Sequence, residues 1–146
     1  MTTRRFLLSW IFSSVGMWGI SYLWHGFFLN DITNLNYPKG IYLMASTIVY
    51  MVIGFLLTRI FSLQFTINIF RNFFVRGIAC GAVVGVLLYM FMIVLGVSFT
   101  KNLSMANMII DIPWQLFEQS FGGILIALTY VLIYEPLPRN RSEEIV

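Results

Sequence analysis

Asp111-Ile112-Pro113-Trp114-Gln115-Leu116-Phe117-Glu118-Gln119-Ser120-Phe121-Gly122-Gly123, followed by an apolar run to Tyr134, is the stretch on which the fold turns. Residues 111–134 match the ~20 apolar residues that a helix needs to cross a bilayer, yet they carry a carboxyl in their midst. Steps of four, three, four and seven from Asp111 reach Gln115, Glu118, Gly122 and Thr129, which at 3.6 residues per turn share one face. An ionisable group is costly in hydrocarbon, so Glu118 is expected to face other helices or a wet cavity.

The rest of the chain has the same character. Its 146 residues are 59% hydrophobic, 17% aromatic and 10% charged, and mean hydropathy is +0.84. That is too apolar for a soluble domain of this length. Spanning helices are expected at 6–29, 41–58, 75–99 and 111–134, and they use up most of the chain. The fold class is therefore all-α integral membrane, a four-transmembrane-helix bundle forming one domain over 1–146. Asn30, Asp31, Asn34, Asn36, Pro38 and Gly40 suit a loop over 30–40, a second polar loop is expected over 101–107, and 135–146 is expected to be a charged, mobile tail. Between helices two and three, 60–74 mixes five phenylalanines with Arg71, Gln64 and Asn68, as suits an interfacial segment. Arg4 and Arg5 precede the first apolar run, which is too long and lacks the small-residue cleavage pattern of a removed signal, so it is read as a span.

Basic residues set the orientation. Arg4 and Arg5, Arg59, Arg71 and Arg76, and Arg139 and Arg141 stand against Lys39 and Lys101, seven against two. Both termini and the middle connection are expected to be cytoplasmic in an inner or plasma membrane. The net charge of +3 is spread over these flanks, so it marks topology and no nucleic-acid partner.

A second polar stripe runs along helix one through Ser14, Trp18, Ser21 and His25. His25 lies ~6 Å and Glu118 ~10 Å inside the outer ends of their helices, so the two stripes meet at one depth if helices one and four are neighbours. His25, Asp31, Asp111, Gln115 and Glu118 then form the candidate polar site near the outer leaflet, with Trp24, Trp114, Tyr37 and Tyr42 as an aromatic belt. Asp111 is expected to cap helix four, with Pro113 in its first turn. Gly77, Gly81 and Gly85 form a GxxxGxxxG row on helix three for close packing, either within the chain or against a second copy.

No reaction can be read. Cys80 is the single cysteine, there is one histidine, and no HExxH, CxxCH or serine with a paired base is present. No catalytic residue and no metal site are assigned. The one cofactor role open to His25 is single axial ligation of a haem or pigment, which nothing else in the sequence supports. The expected function is that of a non-catalytic interaction or accessory subunit in a larger membrane complex, its partners being the bilayer and other membrane proteins or a second copy. The alternative is proton or small-molecule binding or transport at the polar site.

Overall fold

The computed structural model describes residues 3–28, 38–99 and 105–133, with side chains at all of these except 95–99 and 105–108. Among the described residues five α-helices are present: α1 (Thr3–Leu23), α2 (Lys39–Phe61), α3 (Gln64–Ile69), α4 (Phe73–Phe99) and α5 (Met105–Leu132). A single π-helical turn, Trp24–Phe28, continues α1. No strand occurs among the described residues. Among the described residues four helices are long and apolar enough to cross a membrane: Thr3–Phe28, Lys39–Phe61, Phe73–Val94 and Ile109–Leu132, of 26, 23, 22 and 24 residues.

The distribution of side chains is that of a protein dissolved in lipid. Buried positions include Ser9, Ser13, Ser14, Ser21, Thr58, Arg76, Glu118, Gln119 and Thr129, whereas Phe27, Leu132 and Ile109 are 80%, 77% and 70% exposed. Apolar surface facing acyl chains carries no penalty, while polar groups gain by turning to one another.

All four expected spans exist, but their ends differ from those read off polarity. The first begins at Thr3 and passes into the π-turn, the second runs to Phe61, the third starts at Phe73 and the fourth at Met105. Polarity marks where hydrocarbon ends; backbone hydrogen bonding continues until a cap stops it. At the end of α2 the Thr66 hydroxyl sits 2.8–3.2 Å from the carbonyls of Ile60, Phe61 and Leu63. At the start of α4 the Asn72 carboxamide oxygen accepts from the amides of Phe74 and Val75. The start of α5 corrects one reading. Met-Ala-Asn-Met-Ile-Ile carries the helix six residues ahead of Asp111, so Asp111 is an exposed residue within the helix and no cap, and Pro113 is interior.

Neighbouring helices run antiparallel in the order α2, α1, α5, α4, and α2 returns to touch α4 and α5. The α4–α5 seam is the closest. A β-carbon at Gly77 would strike the carbonyl of Gly123, one at Gly81 the carbonyl of Gln119, and one at Gly85 would lie 3.1 Å from that of Gln115. Four residues back on α4 match four forward on α5, so the glycine row is occupied by a helix of the same chain. On α1, Gly16 packs on Leu125 and Phe121, and Gly122 of α5 receives Met17. Between α1 and α2, Gly54 abuts Ser13 and Ser14. The apolar core lies where the four meet: Met17, Ile53, Leu57, Phe61, Cys80, Val84, Ile126 and Ala127.

The end holding Thr3, Phe61, Phe73 and Leu132 is tied by cations. The Arg5 guanidinium donates to the Ile133 carbonyl from Nε at 2.9 Å and from a terminal nitrogen at 2.6 Å, and lies 4.9 Å from the Tyr130 ring centroid. It thereby joins the first turn of α1 to the last carbonyls of α5, which have no helical donor. Arg76, 2% exposed, lies 4.0 Å over Phe61 and 5.1 Å from Phe73. Arg5→Met, which keeps the stem and removes the donors, should lower stability by about 1.5–3 kcal/mol, the range for hydrogen bonds to a charged group. Thermal melting in mild detergent checks this, and an unchanged midpoint would mean that the α1–α5 junction does not depend on the pair.

Candidate functional site

α1 and α5 are neighbours, so their polar faces meet. The Glu118 carboxyl, 1% exposed, is received there. Trp114, one turn earlier on α5, donates its indole N–H to Oε2 at 3.1 Å, and Gln119 Nε2 donates to Oε1 at 3.3 Å. From outside the helix come the hydroxyls of Ser21 on α1 and Tyr50 on α2, both close enough to the carboxyl to act on it. They are linked to each other at 2.6 Å, Tyr50 donating to Ser21. Three helices thus supply the surroundings of one acid.

Trp114 is itself held. Its ring stacks on Trp24, with centroids 4.1 Å apart and planes 10° from parallel, and Phe117 packs against it, tilted by 42°, at 5.6 Å. Trp24 opens the π-turn, whose wider winding is a feature often found at functional positions. The stack covers Glu118 one turn towards the Asp111 end of α5. Two buried polar atoms beside it have no hydrogen-bond partner, Trp24 Nε1 and Gln119 Oε1.

The expected site residues are placed as follows. Glu118 is buried at the centre. Gln115 is half-buried, with its backbone carbonyl against Gly85 of α4. Asp111 is exposed, two turns away, within electrostatic range of Tyr89 on α4. His25 is half-buried in the π-turn next to Trp24. Asp31 and Tyr37 lie outside the described residues. What reaches the carboxyl from α1 is Ser21, one turn before His25. Tyr50 was not foreseen, although a phenol in the middle of the apolar run 41–58 has no water to turn to and needs a partner inside the bundle.

Tyr50 also connects the carboxyl to space. Its ring lines a cavity of about 270 Å³ between α1 and α2 with Ser14, Trp18, Thr47 and Met51, and the walls of this cavity are almost wholly apolar. Beyond it the seam closes, because Trp18 donates to the Ser46 hydroxyl at 3.2 Å and Tyr50 holds Ser21. Among the described residues no group of three His, Cys, Asp or Glu side chains is placed to hold a metal ion.

The shell can serve either state of the acid. Two N–H groups and two hydroxyls can donate to a carboxylate. A protonated carboxyl needs an acceptor for its O–H, and the Ser21 oxygen or a rotated Gln119 amide supplies one. Either protonation state of the carboxyl can therefore be hydrogen-bonded here by turning hydroxyls and one amide, without moving a helix. No protein-family model, curated protein or solved structure matches the chain.

Proposed function

We propose that this chain is a multi-pass protein of the cell membrane, with both termini and the α2–α4 connection cytoplasmic and α3 at the interface, and that Glu118 is its working group as a membrane-embedded proton-binding site. The observation that carries this reading is the double position of Tyr50, whose hydroxyl belongs to the Glu118 cluster while its ring walls a cavity. A purely structural hydrogen bond needs no such link. Carboxyls inside membrane helices commonly mark proton relays, and a hydroxyl between the acid and a cavity supports that reading here. The counting of basic residues that supports the orientation survives the loss of Arg76 to the interior, since the remaining six are still set against two.

The test is difference infrared spectroscopy of the full chain in lipid, taken across a pH titration. One carboxylic-acid band should appear and vanish with pH, be absent in Glu118→Gln, and exchange more slowly in Tyr50→Phe. A spectrum in which no band depends on Glu118 between pH 4 and pH 10, roughly the span from free carboxylates to lysine, would reduce the cluster to a structural hub.

A role as accessory subunit draws its support from α4. Val83, Leu87, Met90 and Phe91 are 57–61% exposed on a helix whose opposite face is fully engaged by α5. A larger membrane protein would dock on that outer face, and mild-detergent purification from the native membrane followed by mass spectrometry would identify it.

A further inference from the structure

Three cavities between α1 and α2 share walls. The first, of about 350 Å³, is lined by Thr3, Phe6, Phe55, Arg59 and Ser62. Phe55 is also a wall of the second, of about 300 Å³, where Trp10, Met51 and Thr47 take over. Thr47 and Met51 in turn line the third, the cavity beside Tyr50. Together they make one groove that opens at the Arg59 end and stops where Trp18 meets Ser46.

Its chemistry changes along its length. At the open end stand an exposed guanidinium, Arg59, and Thr3, the first residue of α1. Arg5 and Arg76 at the same end are engaged inside the bundle, so Arg59 is the arginine that lines the groove. From Phe55 onward the wall is aromatic and aliphatic. The twelve residues from Arg59 to Thr47 rise ~18 Å, close to the ~15 Å of one hydrocarbon leaflet. Trp10 keeps the seam apart there, its indole N–H donating to the Met51 carbonyl at 2.7 Å.

We propose that this groove holds one anionic phospholipid, its phosphate at Arg59 and one acyl chain laid along Phe55, Met51 and Thr47. The occupant is a lipid and no partner helix because the groove is one leaflet deep: a helix crossing the membrane would need the seam open along its whole length, and Trp18 and Ser46 close it. The charge at the mouth selects an anionic headgroup, since a basic residue near the membrane surface contributes about 1 kcal/mol towards anionic lipid.

The full chain, reconstituted in vesicles of equal phosphatidylglycerol and phosphatidylcholine and released in mild detergent, would be read by native mass spectrometry. One retained phosphatidylglycerol, favoured about fivefold over phosphatidylcholine, is expected. Arg59→Gln should bring the ratio to about one, Arg59→Lys should keep part of the preference, and Val52→Trp should reduce retention of both lipids. Arg71→Gln, exposed at the same end but outside the groove, should change nothing. No retained lipid, a preference that survives Arg59→Gln, or an equal loss in Arg71→Gln, which would indicate diffuse surface charge, would overturn the assignment. The outcome is read on lipid retention alone and leaves the presence of the Glu118 band untouched; an acyl chain reaching the cavity beside Tyr50 would slow only the exchange of that band.

Discussion

Glu118→Ala should lower stability by about 2–3 kcal/mol, and Glu118→Gln by less than about 1. Two buried N–H groups of α5 donate to this carboxyl, and the hydroxyls of Ser21 and Tyr50 from two other helices lie beside it. Alanine removes the acceptor from all of them and leaves the Trp114 and Gln119 N–H groups buried without a partner, which is the more costly side of losing a hydrogen bond. Glutamine keeps one carbonyl oxygen for Trp114. Its new N–H₂ would face the Gln119 N–H₂, but the Gln119 oxygen has no partner, so a half-turn of that amide restores a donor–acceptor pair. Thermal melting in mild detergent, followed by near-ultraviolet circular dichroism, measures both variants and reports the Trp24–Trp114 stack as well. Equal losses in the two variants would mean that neither the volume nor the hydrogen bonds that glutamine keeps hold the bundle, and that the acid itself is required.

The same cluster marks how far the sequence could be read. Apolar run length gave all four spans, because lipid imposes one requirement on every residue of a span. The stripes through Ser21 and Glu118 were visible as polar residues at helical spacing, since nothing else in an apolar run competes for that face. Tyr50 was missed although it stands at helical spacing with Ser46 and Tyr42 on α2: hydroxyls are tolerated at many positions of a span, so such a row carries less weight than one that contains an acid. Which helices neighbour one another was not legible, because lipid-facing and helix-facing apolar residues look alike when both are leucine, valine or phenylalanine. Arg76 was read as a topology charge, as its position at the start of α4 suggests. Its burial over Phe61 and Phe73 depends on how α2 and α4 close together, and no local pattern encodes that. The start of α5 was misplaced because Asp111 and Pro113 resemble a helix opening, and only the six preceding residues, good helix formers in the main, outweigh that signal.

The largest loss should come from the glycine row. Gly77→Leu or Gly81→Leu should abolish the folded bundle, since each would drive a side chain into a backbone carbonyl of α5 that has nowhere to move. Even alanine at either position puts a methyl onto the Gly123 or Gln119 backbone, and overpacking of this kind costs about 1–3 kcal/mol. A graded series separates this from a general intolerance to substitution. Gly85→Ala needs the Gln115 carbonyl and the Gln119 side chain, 3.1 and 3.4 Å from the new carbon, to give by a few tenths of an ångström, and should cost under about 1 kcal/mol. Gly19→Ala meets nothing within 4 Å and should be neutral or stabilising by up to about 1 kcal/mol through the lower entropy of the unfolded chain. The expected order of melting temperatures is thus Gly19→Ala highest, then Gly85→Ala, then Gly77→Ala and Gly81→Ala together. Were the row a surface for a second copy, Gly81→Leu would instead leave melting unchanged and move the protein to a smaller species on gel filtration. The antiparallel register decides between them on physical grounds: a helix whose Gln115, Gln119 and Gly123 already fill the notches at Gly85, Gly81 and Gly77 leaves no room for another. That close seam also fixes the height of Gln119, and with it the neighbouring carboxyl, so packing on one side of α5 sets the position of the acid on the other.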